Sequence, residues 1–415
     1  MAVLCGSSPG TSMGKYGGLA IKNGSPHETG LRILLHAIQL AASRHSRVIE
    51  PLLSLSVDFY ARVFVRVWSS PGAVKGIAAK HAVCYTCSGC GAYHIQPLGQ
   101  EFAGPKRVVP ARGPPVGPLC SECGSPFLVY GPFWNGPLHS REFLRSFLDG
   151  LGATPNPVDS ENTKQLNSSH EHVPNSDNKS KFPNPTLNTY PLTSELNSPL
   201  PSGFSFAPDL TAPQLPSDMS EIFGTFKRIV GMSTVAYEEL PDVTLCYRVD
   251  HLCAVLGSLV PPMLELYSAL LNAGYRVSPS HSDMNVFKTD APMPFIWDVL
   301  IAYRNRLRAD EQNNGRTRSE SESSESDQTD SSSRSNANTD PDQADSESKR
   351  QRKRRLHHAN AKDPDETRDS NIVNRQTVRE KLLSRPANPL VDFTIHPKAN
   401  PPSRAAGLLR CVYIL

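Results

Sequence analysis

The chain has 415 residues, enough for two or three domains of roughly 100–200 residues each. A formal net charge of +3 hides an asymmetry: residues 1–150 hold 14 Lys/Arg against 7 Asp/Glu, whereas residues 319–348 hold 9 acidic side chains against one Arg. With 38% hydrophobic residues and 37 prolines, part of the chain cannot bury enough apolar surface to offset its ordering entropy, and no run of about 18 apolar residues is present to cross a membrane.

The start, MAVLCGSSPG, has neither the basic segment nor the long apolar run of a secretory signal. Ala2–Cys5 reads as a short strand, followed by a glycine-rich loop from Gly6 to Gly18. Ser25-Pro26-His27-Glu28 has the form of a helix start, with Ser as cap, Pro in the first position and Glu three residues after the cap. Leu31, Leu34, Leu35 and Ile38 then recur at helical spacing and predict one buried face. Residues 56–67 alternate and predict one long strand, Val57, Phe59, Ala61, Val63, Val65 and Val67 on one face and Asp58, Tyr60, Arg62 and Arg66 on the other. Residues 218–305 regain periodicity. Asp250 precedes a short helix ended by Gly257, Pro261-Pro262 opens a second helix closed by Gly274, and two short strands, 275–277 and 286–288, follow. Helix, tight turn, helix, hairpin is the order of a winged helix-turn-helix.

Nine cysteines, an odd and uneven set with five between positions 84 and 123, argue against a disulfide framework and for metal. Cys87-Ser-Gly-Cys90-Gly91 and Cys120-Ser-Glu-Cys123-Gly124 are two copies of C-x2-C-G, 29 residues apart. Two residues between paired cysteines let both thiolates point inward from one turn, and the glycine lets the backbone pass beneath the sulfurs. Four thiolates close the coordination sphere of zinc, so the predicted site is structural. Cys84 lacks the trailing glycine and reads as a buried thiol within a strand; His81 and His94 are left without a ligand role.

The segments TGLRILLHAI, IEPLLSLSVDFYARVFVRV, YTCSGCGAYHIQPLG, GPPVGPLCSECGSPF, YGPFWNGPLH and LLNAGYRVSPSHSDMNVFKTDAP resemble successive blocks of the tRNA (guanine-26) N2-dimethyltransferase family, in the family's order. The resemblance implies a class I methyltransferase domain using S-adenosylmethionine, a zinc-containing C-terminal part and a tRNA substrate methylated twice on one exocyclic amine. In the family, the block resembling MAVLCG ends the fifth sheet strand. A glycine-rich loop, an acidic residue and an Asp-Pro-Phe-Gly motif come before it. This chain contains no G-x-G-x-x-G after a strand and no Asp-Pro-Phe stretch, so no catalytic or donor-binding residue is assigned in it, and an N-terminally truncated product that binds tRNA without catalysis is the alternative expectation.

The expected fold is therefore α/β. Residues 1–78 are a remnant of a Rossmann-like methyltransferase sheet, 79–150 a four-cysteine zinc region, 151–217 a disordered insert and 218–308 a winged-helix-like α+β unit; 309–375 form a disordered acidic and basic stretch, and 376–415 a tail. Cys87, Cys90, Cys120 and Cys123 are the expected zinc ligands, and Arg32, Arg62, Arg66, Lys106, Arg107, Arg276 and Lys288 the expected phosphate-tracking cations, with Arg112 beside them in the loop between the knuckles. DNA binding by the winged unit rests on topology alone, because the second helix carries only Glu265 as a charge. Lys349–Arg355 places six basic residues in seven and reads as a nuclear import signal or a non-specific RNA patch, so a nuclear, monomeric, tRNA-binding protein is expected, with cytoplasm or mitochondrion as the alternative locations.

Overall fold

The computed structural model describes residues 1–101, 108–153, 224–322 and 375–408, the backbone alone over 313–322. The first apolar run is a π-helical turn, Val3–Ser7, and not a strand; the glycine-rich stretch after it is the helix α1 (Pro9–Tyr16), with Pro9 in its first position. Four apolar residues are too few to hold a strand without a neighbour. Gly6, inside the turn, stands at φ 90°, so close to Ile21 that a Cβ there would lie 2.3 Å from the Ile21 carbonyl carbon.

Helix α2 (Pro26–Ser43) starts where the sequence places it, but the predicted cap box does not form. The Ser25 side chain makes no cap bond; Asn23 Oδ1 instead accepts the Ser25 N–H at 3.0 Å, and Glu28 turns into the protein interior. Leu31, Ile33 and Leu35 are all fully buried, so α2 is covered on more than one face.

The single strand expected over 56–67 is a hairpin, β1 (Arg47–Val57) and β2 (Tyr60–Ser69), paired antiparallel from Arg47↔Ser69 to Val57↔Tyr60. The alternation runs on through the turn in the sequence. The pairing of Val57 with Tyr60 and of Ser56 with Ala61, however, puts Val57 on the face of Arg62 and Phe64, opposite Ala61, Val63 and Val65, so the single face expected from Val57 to Val67 is split. Asp58 takes the left-handed conformation at φ 47°, which short polar side chains tolerate, and Arg228 holds both of its carboxylate oxygens at 2.8 Å.

Five further strands follow: β3 (His81–Cys87), β4 (Tyr93–Pro97), β5 (Gly99–Glu101), β6 (Val108–Pro110) and β7 (Phe127–Trp134). They form an antiparallel sheet in the order β4-β3-β7 and a small β5-β6 pair. Ala82, Cys84, Tyr130 and Phe133 of this sheet pack with Leu4, Ala20 and Ile33, so the cysteine-bearing strands lie directly on α2. Every strand pair among the described residues is antiparallel; the chain is mixed α/β, and residues 1–78, expected as a Rossmann-like remnant, hold helices α1 and α2 and an antiparallel hairpin.

Helix α3 (Arg141–Gly150) is capped by Ser140 Oγ, which accepts the Phe143 N–H, and lays Leu144 and Leu148 against Leu53 of β1 and Ala236 and Tyr237 of α4 (Phe226–Glu238). Then come β8 (Tyr247–Arg248), α5 (Val249–Leu256), α6 (Met263–Asn272), β9 (Val277–Ser280) and β10 (Asp283–Thr289), the three strands ordered β8-β10-β9. Helix, helix and hairpin stand in the predicted order, with β8 as an unforeseen third strand.

Helix α7 (Met293–Glu322) runs into the stretch that composition assigned to disorder, so 309–322 are helical. Its first turns are anchored by the buried Phe295, Ile296, Trp297, Val299 and Leu300, and a nucleated helix extends at little cost through polar residues. Residues 154–217 of the expected insert, the basic run 349–355 and Lys106 with Arg107 lie outside the described residues. The tail is docked: 375–383 are helical, and Val378, Leu382 and Ala399 are buried in the core that also contains Trp297, Leu266 and the four paired cysteines.

Candidate zinc centre and the buried ion network

The two knuckles close on each other at the end of the β3-β7 pair. Cys87 Sγ lies 3.3 Å from Cys123 Sγ and Cys90 Sγ 3.8 Å from Cys120 Sγ, and the four sulfurs lie within 4.8 Å of one another, all buried. A tetrahedral zinc at about 2.3 Å from each sulfur requires sulfurs roughly 3.8 Å apart, so the four thiolates fit the ion. The backbone is arranged alike in both turns. Gly91 N–H donates to the Cys87 carbonyl at 3.1 Å and Gly124 N–H to that of Cys120 at 2.8 Å; Cys87 N–H meets the Ala92 carbonyl at 2.7 Å and Cys120 N–H that of Ser125 at 2.9 Å. Gly91 and Gly124 stand at φ 78° and 76°, the left-handed conformation each knuckle needs after its second cysteine.

Cys84 lies apart from this cluster, buried in β3, its thiol pushed up to about 12 by burial against the hydrogen bonds that Tyr130 and His94 offer. His81 is also apart. Its Nδ1 meets His36 Nδ1 at 2.5 Å, and burial, with His36 and Lys80 beside it, lowers it to about 4.

The sequence reading missed a second cluster that joins α2 to the C-terminal half. Glu28 Oε1 accepts from Arg32 Nε at 2.9 Å, from Lys288 Nζ at 2.8 Å and from the Leu245 N–H at 3.0 Å. Lys288 Nζ also lies 3.4 Å from Glu239 Oε2, and Glu239 Oε1 accepts from His281 Nδ1 and the His281 N–H, both at 2.6 Å. Burial would raise both carboxyls, but the cations and histidine around them hold Glu28 below and Glu239 well below the usual range; burial would lower Lys288, but Glu28 and Glu239 raise it.

His139, Glu239 and His281 have the ligand types of a metal site, yet their hydrogen bonds oppose one. Ser54 N–H points at His139 Nδ1 and Ser56 N–H at His281 Nε2, each at 3.3 Å, so each ring accepts there and carries its proton on the nitrogen facing Glu239. A metal would need lone pairs at those facing nitrogens, and Lys288 already supplies the positive charge. The cluster is an ion network. Its one legible signal was Glu28 and Arg32, an i,i+4 ion pair on a helix whose apolar face they interrupt.

This network removes two of the expected RNA contacts. Arg32 is 1% exposed and donates to the carbonyls of Trp134 and Gly136, and Lys288 is 2% exposed between its carboxylates, so neither reaches a phosphate. Arg276 is half-exposed but held by Asp242 at 2.5 Å and Asp290 at 2.7 Å, which neutralise it. Arg62, Arg66 and Arg112 remain solvent-facing, Arg66 with Glu50 at 3.1 Å.

The family model described as N2,N2-dimethylguanosine tRNA methyltransferase matches residues 1–178 and 214–301. The chain belongs to this family. A Schizosaccharomyces pombe protein named tRNA (guanine(26)-N(2))-dimethyltransferase is 36% identical over 72% of this chain and 44% of its own length, and a Homo sapiens protein of the same name is 35% identical over 72% of this chain and 36% of its own. A solved structure titled as Trm1 from Pyrococcus horikoshii with S-adenosyl-L-methionine superposes at a TM-score of 0.45 and 18% identity, over 71% of this chain and 55% of that one. The chain thus spans less than half the length of these two curated relatives.

Proposed function

We propose that this chain serves the N2-dimethylation of a tRNA guanine from S-adenosylmethionine, as the part that carries a structural zinc and engages the tRNA. The family match over 1–178 and 214–301 carries this reading. Cys87, Cys90, Cys120 and Cys123 would hold the zinc, which would tie β3 and β7 to the docked tail; a filled sphere of four thiolates leaves no position for substrate or water. Arg112, solvent-facing in the loop between the two knuckles, is a basic residue free to track phosphates. The basic run at 349–355 supports a nuclear location.

A second reading, binding without catalysis, is favoured by one observation: the sequence has no glycine-rich donor loop and no Asp-Pro-Phe stretch. No residue of this chain is accordingly assigned to the methyl donor or to the amine proton. Fluorescence anisotropy of labelled tRNA against the zinc-loaded chain tests the shared part of both readings. Binding that weakens at least tenfold on chelation is expected; equal binding with and without metal overturns it. Transfer of labelled methyl to a guanine N2 then separates the catalytic from the binding role.

A further inference from the structure

A charged side chain inside a protein is normally paired, because an uncompensated buried charge is costly. Arg304 of α7 breaks this rule. It is 7% exposed, its Nε has no hydrogen-bond partner, and it makes no ion pair among the described residues. The charges that act on it are cations: burial first, then Arg308 one turn further along α7 and Arg379 of the tail helix 375–383, lower it from its ordinary value. The tail helix is held there by Val378 and Leu382, which share a core with Trp297, Leu300 and Ile301 of α7. Arg379 is itself fixed in place. Its Nε donates to the Val255 carbonyl at 3.2 Å, and its guanidinium lies over Gly257, where a Cβ would come within 2.7 Å of Cζ. The two terminal nitrogens of its fork have no protein partner among the described residues. Neighbouring arginines of the same elements are neutralised, Arg306 by Glu265 and Arg385 by Glu122 and Asp298.

We infer that Arg304, Arg308 and Arg379 form a binding site for the phosphate of a phosphoserine in an acidic peptide. Guanidinium forks match phosphate oxygens two at a time, and a cluster of arginines is a common way to recognise a phosphorylated segment. A phosphoserine carries about −1.5 to −2 charge at pH 7, enough to offset most of three guanidiniums, whereas a carboxylate brings a single charge. A nucleic-acid strand also brings one charge per phosphate, and it is met by cations spread along its path. Here the cations converge on one place, between α7 and the tail helix. The chain itself contains a sequence of the matching kind: residues 319–348, which run from the end of α7 toward the tail helix, hold 9 acidic side chains and the serines Ser321, Ser323, Ser324 and Ser326. A phosphoserine there and one on another polypeptide present the same chemistry to the site. The inference rests neither on methyl transfer nor on tRNA binding.

The test is fluorescence anisotropy of a labelled peptide with the sequence of residues 319–333, phosphorylated at Ser326, against the unphosphorylated full chain. Saturable binding is expected, at least tenfold tighter than for the same peptide without phosphate, and displaced by excess inorganic phosphate. Arg304→Gln should weaken it at least tenfold while the thermal midpoint stays unchanged or rises, because the change removes a buried charge that has no partner. Arg308→Glu, at an exposed position, should weaken it at least as much in a chain that remains folded. Phosphorylating the full chain with an acidophilic serine kinase separates the two sources: loss of peptide binding assigns the phosphoserine to the chain's own tract, and retained binding assigns it to another polypeptide. Equal binding of the two peptides, binding indifferent to both variants, or a fall in tRNA affinity on Arg308→Glu as large as the fall for the phosphopeptide would each overturn the proposal.

Discussion

Replacing Lys288 by Met tests the ion network most directly. The methionine fills much the same volume but removes the ammonium that lies 2.8 Å from Glu28 and 3.4 Å from Glu239. Glu28 keeps Arg32 at 2.9 Å; Glu239 keeps only histidine and hydroxyl donors. Breaking a buried pair on one side costs about 3–5 kcal/mol when the remaining charge has no escape. Glu239 has one, because it can take up a proton. From an unperturbed value near 4.5, protonation at pH 7 costs about 3.4 kcal/mol, at about 1.4 kcal/mol per pH unit. The expected loss is therefore about 3 kcal/mol at pH 7, falling below about 1 kcal/mol at pH 5, where the carboxyl protonates cheaply. Urea denaturation of wild type and variant at pH 5, 6 and 7 measures it. A loss that does not change with pH, or one under about 1 kcal/mol at pH 7, would refute the reasoning.

Other outcomes follow from the same structure. In the wild type, Glu28 and Glu239 are depressed and add stability above about pH 4.5 that is lost as pH falls through their folded values, whereas Lys288 is raised and adds stability that is complete below about pH 10.5 and lost above it. His81, lowered to about 4 from 6.5, is uncharged in the fold, so its contribution is present above pH 6.5 and falls by about 2 kcal/mol by pH 5; His81→Phe should flatten that part of an acid titration of stability. Leu382→Ala, at a fully buried position in the core containing the thiolates, should cost about 2–5 kcal/mol and speed zinc loss to a colorimetric chelator, and an unchanged release rate would separate the tail from the metal site. Cys120→Ser should leave less than one zinc per chain by elemental analysis, and full metal content would show that the knuckles are paired wrongly.

The distance between sequence and structure is uneven along the chain. The knuckles were legible because their chemistry is local: two residues between thiols and a glycine after them set each turn before any tertiary contact forms. Pro26, Gly257 and Gly274 were legible for the same reason, since they act on their own backbone. The β1-β2 turn was hidden because apolar residues stand at every second position straight through it, although the turn puts Val57 on the face opposite Val63 and Val65. The fate of the charged residues was barely legible, the i,i+4 spacing of Glu28 and Arg32 being its one trace. Arg32 and Lys288 look like any surface cations in the sequence, yet the fold brings Glu28 and Glu239, 211 positions apart, to the same ammonium. The tail likewise owes its order to Val378 and Leu382 meeting a core built from elsewhere.

Taken alone, then, the order of residues determined the paired-cysteine turns, the helix boundaries set by proline and glycine, and the family. Tertiary structure decided which cations are buried, where the hairpin turns and where the tail docks. Backbone geometry is settled by neighbours in the chain, whereas burial and charge pairing depend on groups that meet only once the chain has folded.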